Sequence, residues 1–483
     1  MKAVCLLLLG VLCFSIIPVR PAEAAMFTPC KDASTFPELH GSLCATFQAL
    51  LRAPGPRIGS AAKVVNLFVR EFPAPGKAKG IVWLVYGGPG GSGALLYPFL
   101  KTLRAAFPDF DLLIPDPRGT GYSTRLCPEQ ESVNSPGGMA LVGAEWNTCW
   151  ASLNAAPDYA RAFSLTNAAY DLADLIAQYH SAVPTYVYGV SYGTQVVSRM
   201  LAIKQVHLAG VILDSLVPPD ATTRFDLSHR SQIVNAVGMK VLAQCDAVQS
   251  CKRRFPTTAV AAYEKLLASP SPAVLAQIPD KNIKQFFGNL LEYPLLRARI
   301  PELIAELGRG DTSGLQSVKA SLAKIDAAFA KYPQSPPSIP LAAIITDSSN
   351  DARPRLTMAE LKQEQQNLLF TSPLPALIVG GLRPHPALPL YPHGKYFNAP
   401  PIFMPRTLVL QGTLDPFTPL QGARDRISSW HADKRVRLVT VKDAPHFILM
   451  NAPICFVDAV HQFLAREAGS LPACERPTFS QDF

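Results

Sequence analysis

Gly189-Val190-Ser191-Tyr192-Gly193 lies between Thr185 to Tyr188, which reads as a strand, and a segment through about Ile203 that reads as a helix. A serine hydroxyl is a poor nucleophile at neutral pH. A sharp strand-to-helix turn exposes it, and the start of the helix offers backbone N–H groups that have no partner within the helix. Small residues on both sides let the chain turn without clashes. Ser191 is therefore the candidate nucleophile for an acyl-transfer reaction. Such a serine needs a base, and the base needs an orienting carboxylate. Asp415, in Gly412-Thr413-Leu414-Asp415-Pro416, follows the strand-like run Arg406 to Leu410, and His446, in Asp443-Ala444-Pro445-His446-Phe447, follows Val436 to Val441. The order Ser, Asp, His, with both partners at strand ends, fits a triad carried on an open α/β sheet.

A glycine-rich turn, Tyr86-Gly87-Gly88-Pro89-Gly90-Gly91-Ser92-Gly93, comes earlier, directly after the apolar run Gly80 to Val85. Glycines there let a backbone N–H approach a developing oxyanion closely, and Gly88 N–H with Tyr192 N–H is the expected donor pair. A phosphate cradle is disfavoured because the Lys-Ser/Thr ending of a nucleotide loop is missing. Asp214 ends the strand-like run Gly210 to Leu213 and reads as a turn carboxylate, with a role as the triad acid as the alternative. Asp116 and Arg118, in Asp116-Pro117-Arg118-Gly119-Thr120-Gly121-Tyr122-Ser123, read as structural, and His229, His385 and His393 as surface residues.

The elements around these residues alternate. After a loop-rich start, Lys63 to Phe72, Gly80 to Val85 and Asp111 to Pro115 read as strands. Leu165, Ala168, Ala169, Leu172, Leu175, Ile176 and Tyr179 recur at helical spacing behind a possible cap at Ser164 or Thr166. Strand alternating with helix predicts a parallel sheet. From Pro218 the pattern turns helical, as in Ile283 to Leu307 and Leu315 to Phe329, with no persuasive strand until a proline-rich return over Pro384 to Pro405. Strands Arg406 to Leu410 and Val436 to Val441 and a closing helix Ala452 to Leu464 follow. The simplest organisation is one α/β domain interrupted by a mostly helical insertion that places a lid over the site.

Composition excludes several classes. With 483 residues, 48% hydrophobic and 17% charged, the chain is globular and large enough for a substantial core. Its net charge of +9 is spread out, the densest cluster being Lys252-Arg253-Arg254, so nucleic acid is not an expected partner. Residues 1–24 carry Lys2, an apolar run and Ala22-Glu23-Ala24, the pattern of a cleaved signal peptide, so no stable membrane insertion is expected after cleavage and the protein is expected to be secreted or periplasmic. Setting aside Cys5 and Cys13 leaves Cys30, Cys44, Cys127, Cys149, Cys245, Cys251, Cys455 and Cys474, in four sequence-local pairs. Nearest-neighbour disulfides are expected; metal binding is the rival, disfavoured because no Cys-x-x-Cys or Cys-His pairing occurs.

The glycine turn, the Asp-x-Arg-Gly-x-Gly-x-Ser loop, the serine turn and the terminal Asp and His resemble the prolyl aminopeptidase and tripeptidyl aminopeptidase group of α/β-hydrolase serine peptidases, from about Val64 to Cys474. The closing part resembles the tripeptidyl-aminopeptidase type at Gly412 to Pro419, His446, Cys455 and Leu471-Pro472-Ala473-Cys474; the insertion does so around Tyr293 to Gly308 and Ala343 to Asp347. The resemblance implies an α/β-hydrolase fold, a mostly parallel sheet with helices on both faces and a large helical cap. The expected division is signal peptide 1–24, first core part 25–217, cap 218–400 and C-terminal core part 401–483. It also implies a serine exopeptidase that acts on peptides from a free N-terminus through Ser191, Asp415 and His446, with no metal or organic cofactor.

Three positions depart from the family pattern. Tyr86 stands where the glycine turn usually opens with His, Ile300 where a Trp often precedes Pro, and Thr346 where a Cys often precedes the cap aspartate. An aminopeptidase must bind an ammonium group with a carboxylate in an enclosed pocket. Asp347 and Glu292 are the candidates, with Glu302 behind them. The alternative is a carboxylesterase on small esters using the same triad, since fold does not choose between the two reactions. A catalytically dead binding protein is the third reading.

Overall fold

The computed structural model describes residues 26–54, 63–131, 143–179, 182–382, 387–431 and 433–475. The expected signal peptide and His385 lie outside them. Among these residues nine strands form one sheet: β1 (Thr28–Pro29), β2 (Leu43–Leu50), β3 (Val64–Phe72), β4 (Gly80–Val85), β5 (Phe110–Pro115), β6 (Thr185–Val190), β7 (Gly210–Asp214), β8 (Thr407–Gly412) and β9 (Val436–Val441), in the order β1-β2-β3-β5-β4-β6-β7-β8-β9. From β5 to β9 all neighbours are parallel, whereas β1, β2 and β3 join by antiparallel pairing at one edge. The strands β4, β7 and β8 are buried along their whole length and β6 everywhere but at Thr185, as expected of strands covered by helices on both faces.

This sheet order explains where a site can form. From β4 the chain crosses to β5 on one side, and then to β6 on the other. The carboxyl ends of β4 and β6 therefore flank the point where the winding reverses, and open α/β sheets bind their ligands in that crevice. The register Val85↔Gly189 brings the glycine turn after β4 beside the serine turn after β6.

One apolar cluster, including Trp83, Leu172, Val197 and Leu213, and another, including Leu84, Tyr188, Phe456 and Val460, are built from alternate residues of the same strands and so cover opposite sheet faces. A third cluster, including Leu242, Tyr263, Phe287, Leu303 and Phe370, belongs almost wholly to the segment between β7 and β8. Among the described residues that segment holds helices and no strand, among them Arg230–Ala247, Ile283–Leu290, Ile300–Gly308 and Ser313–Phe329. The expected long helix over Ile283 to Leu307 is broken by Pro294 and Pro301, each near the start of a new helix. Among the described residues no helix is long and apolar enough to cross a membrane.

The disulfides are Cys30–Cys44, Cys127–Cys149, Cys245–Cys251 and Cys455–Cys474, the nearest-neighbour pairing. They are consistent with an extracellular or periplasmic protein.

The Asp-Pro-Arg-Gly loop is fastened from within. Asp116 accepts from Gly93 N (2.8 Å), Tyr122 N (2.8 Å) and Gln334 Nε2 (3.0 Å), tying the glycine turn to its own loop and to the helical insertion. Arg118 is 1% exposed and pairs with both carboxylate oxygens of Asp171 at 2.6 Å, while its remaining donors reach Leu50 O, Leu51 O and Ala162 O. Removing the acid strands a buried guanidinium, so Asp171→Ala is expected to cost about 3–5 kcal/mol, read by thermal or denaturant unfolding. A loss below about 1 kcal/mol would show that water reaches the pair.

Candidate active site

Ser191 occupies a backbone conformation that side-chain-bearing residues avoid, φ 54° and ψ −126°. Its amide donates to Asp214 O (3.0 Å), and its carbonyl accepts from Thr194 N (2.8 Å) and Thr194 Oγ1 (2.7 Å), so packing on both sides holds the strained turn. Two glycines make the close approach possible. A Cβ on Gly87 would lie 2.7 Å from Ser191 Cβ, and one on Gly193 would collide with the carbonyl oxygen of Val85. Tyr192 is the first residue of the helix Tyr192–Ile203, so its N–H has no acceptor within the helix. Gly88, Ser191 and Tyr192 line one pocket.

His446 and Asp415 come together from the ends of β9 and β8. His446 Nδ1 lies 2.9 Å from Asp415 Oδ2. Asp415 is 1% exposed and its oxygens are divided between duties: Oδ1 accepts from Phe417 N and Thr418 N, both at 2.8 Å, and Oδ2 from Thr418 Oγ1 (2.8 Å) and Gln411 Nε2 (3.0 Å) as well as facing the imidazole. Burial by itself would raise the carboxyl's pKa, but His446 and these donors outweigh it and hold it below the ordinary value. For His446, burial works against the charged form, yet the charge and hydrogen bond of Asp415, followed by the charge of Glu292, carry the imidazole above its ordinary value.

The loop that carries His446 is anchored by the strand before it in space. Asp214 accepts from Ile448 N (2.8 Å), Leu449 N (2.9 Å) and Tyr188 Oη (3.0 Å), and Ser215 Oγ accepts from Phe447 N (2.8 Å). Asn451 Nδ2 donates to His446 O at 2.6 Å. Asp214 is thus a turn carboxylate that positions the histidine loop, as its place in the sequence suggests.

The candidate amine-binding residues fare differently. Glu292 lies between the helices Ile283–Leu290 and Pro294–Ala298 and within electrostatic reach of His446, Asp415 and Arg230. It makes no hydrogen bond or ion pair among the described residues, and burial, the leading cause, pushes its carboxyl up to about 7. Asp347 sits half-buried in the single turn Thr346–Asn350. The pocket lining includes Ser349 and Asn350 of that turn but not Asp347. Glu302 is committed to Arg299 at 2.7 Å. His229 is bonded to Asp226, and His393 is stacked on Phe397 with its Nε2 2.8 Å from Ser348 O.

Several pocket residues have no motif to announce them. Gln195, Asp220, Asp226, Arg230, Phe417 and Thr418 contribute to the pocket wall. Asp220 is clamped by Arg199 (2.7 Å) and Arg426 (2.5 Å), whose charges overcome burial and drive its pKa far down. Asp226 is held by His229, Ser228 and Ala352 N. Among the described residues no group of three or more His, Cys, Asp and Glu side chains is placed to hold a metal ion.

The sheet order, with the serine turn at the winding reversal, is that of the α/β-hydrolase fold. Residues 80–251 match the family described as alpha/beta hydrolase fold, and residues 388–477 match the family described as TAP-like protein. The chain therefore has the α/β-hydrolase fold, and its C-terminal region is similar to the TAP-like family. No curated protein matches it in sequence. Solved structures that overlap it include a thermophilic esterase from Thermogutta terrifontis (15% identity, 87% of this chain and 98% of that one, TM-score 0.35). An esterase from Exiguobacterium antarcticum (12%, 83% and 96%, 0.36) and an epoxide hydrolase from Vigna radiata (13%, 83% and 95%, 0.36) are similar to the same extent.

Proposed function

We propose that the protein is a secreted serine exopeptidase that hydrolyses peptides from a free N-terminus. The observation that carries the hydrolytic part is the strained Ser191 at the end of β6, together with a His446 after β9 whose Nδ1 faces a buried Asp415 held below its ordinary pKa. In this reading Ser191 Oγ attacks the substrate carbonyl while His446 Nε2 takes its proton. The oxyanion forms against Gly88 N–H and Tyr192 N–H, each donor contributing about 3 kcal/mol to the transition state. The imidazolium passes its proton to the leaving amine, and water, deprotonated by the same nitrogen, resolves the acyl-enzyme. Four disulfides and the signal-like leader support export.

The peptidase part is supported by the TAP-like match over residues 388–477 and by Glu292, a carboxyl with no partner of its own near His446. An arriving ammonium would favour its ionised form and supply the missing partner. Glu292→Gln is accordingly expected to raise KM for free-amine substrates by about 10- to 100-fold and to leave N-acetylated ones unchanged. The pH profile gives a second readout. The base must be neutral, so activity is lost as pH falls through the raised pKa of His446, and the groups that set this value are Asp415, Glu292 and Arg230. Removing the negative charge of Glu292 lowers it, moving the acid limb of kcat/KM to lower pH. An unmoved limb together with an unchanged KM would remove Glu292 from the site.

Covalent labelling by a fluorophosphonate, with the adduct located by peptide mass, tests the nucleophile itself. Labelling at Ser191 is expected; an unlabelled, folded protein would favour the binding-protein reading, and labelling with turnover of esters alone would favour the carboxylesterase.

A further inference from the structure

Three charged side chains line the pocket beside Ser191: Asp220, Asp226 and Arg230. The two acids are fully engaged. Asp220 receives Arg199, Arg426, Gln195 Nε2 (2.9 Å) and Asn398 N (3.0 Å), and Asp226 receives His229, Ser228 and Ala352 N. Arg230 is different. It opens the helix Arg230–Ala247, is 7% exposed, and its Nε is buried without a hydrogen-bond partner. Its guanidinium has no acceptor among the described residues; it lies 4.7 Å from the centre of the Phe417 ring, which in turn packs edge-on against His446 at 5.2 Å. Asp415, Glu292 and Asp226 attract it through space without closing to an ion pair.

A guanidinium whose Nε is withdrawn from water and that has no acceptor in the protein is unfavourable unless water or a ligand supplies one. Its planar fork matches an oxyanion with two oxygens, and the aromatic face behind it fixes the plane in which the fork opens. Arg230 and Ser191 line the same pocket, so a molecule that reaches Ser191 has room to present a group to this fork. We propose that Arg230 receives a carboxylate of the peptide substrate, making the enzyme selective for peptides that bring an acidic group into this pocket. The proposal rests on the peptidase reading above. The carboxylate has two possible sources, an Asp or Glu side chain or the C-terminus of a short peptide.

The test is calorimetric binding to the full-length Ser191→Ala protein with its disulfides intact. One arm compares tripeptide amides that differ only as Glu against Gln at each position; the other compares one neutral tripeptide with a free or an amidated C-terminus. One acid-for-amide exchange is expected to tighten binding by about 10- to 100-fold, and the arm in which it occurs identifies the source. In the Ser191→Ala/Arg230→Gln protein the difference should fall below about 2-fold, and Arg230→Lys should retain only part of it. Equal affinities within every pair, or no measurable binding by any acidic peptide, would overturn the proposal. If the Arg230→Gln protein does not fold, the pairs measured with Arg230 intact decide alone. Because binding needs no nucleophile, these results are independent of fluorophosphonate labelling, whose failure would instead count against the catalytic reading.

Discussion

Ser191→Ala is expected to lower kcat by about 10⁶-fold while leaving the protein folded, because removing a triad nucleophile costs about as much as removing the whole triad. The fold tolerates the change for local reasons. The turn is held through the backbone, Ser191 N to Asp214 O and Ser191 O to Thr194, and alanine keeps every one of those bonds. The change in stability should therefore stay within about 1 kcal/mol. Ser191→Gly goes further, since glycine adopts φ 54° without strain, and it should be more stable than the alanine variant by up to about 1 kcal/mol. Kinetics on purified variants and their thermal unfolding check both parts. Activity above about a hundredth of wild type in Ser191→Ala would place the nucleophile elsewhere.

Asp415→Asn is the second large effect, a loss of about 10⁴-fold in kcat with little change in KM. The argument comes from how the two carboxylate oxygens are used. Oδ1 accepts two backbone N–H groups, from Phe417 and Thr418, so the carbonyl oxygen of an asparagine must stay on that side. Its NH₂ then takes the place of Oδ2 and points a donor at His446 Nδ1. The imidazole answers by carrying its proton on Nε2, the nitrogen that must accept from Ser191, and the base is blocked. Gln411 Nε2 and Thr418 Oγ1 also face Oδ2; the hydroxyl can rotate to accept, but the amide cannot, so a modest loss of stability accompanies the loss of rate. A variant that keeps more than about a tenth of wild-type kcat would show that Asp415 does not set the tautomer.

Much of the frame was legible before any coordinates because it rests on strong local signals. Gly80 to Val85 and Val436 to Val441 are read with their observed bounds, and Ser164 caps its helix through Asn167 N as its position suggests. The nearest-neighbour disulfides follow from short spacing. By contrast the sequence over β2 reads as loop. Its Leu43–Leu50 sequence alternates correctly, but the inward positions include Ala45 and Ala49, whose small side chains give a weak strand signal, and pairing with β3 supplies the rest. Arg230 had no local signature either. Its importance comes from what is absent around it, an acceptor, and that is a property of packing between segments far apart in the chain. The two candidate acids could not be ranked by sequence for the same reason; the turn before Pro294 brings Glu292 toward His446, while the turn Thr346–Asn350 turns Ser349 and Asn350 rather than Asp347 to the pocket.

The most direct test of the central claim is the rate at which the disulfide-intact protein hydrolyses a free tripeptidyl amide, its N-acetylated twin and a short-chain ester of matched leaving group. The account predicts that the free-amine amide is cleaved at least about 100-fold faster than the acetylated one, the discrimination expected when a partly buried carboxylate loses its ammonium partner. Equal rates for the two amides, or cleavage of the ester alone, would contradict it.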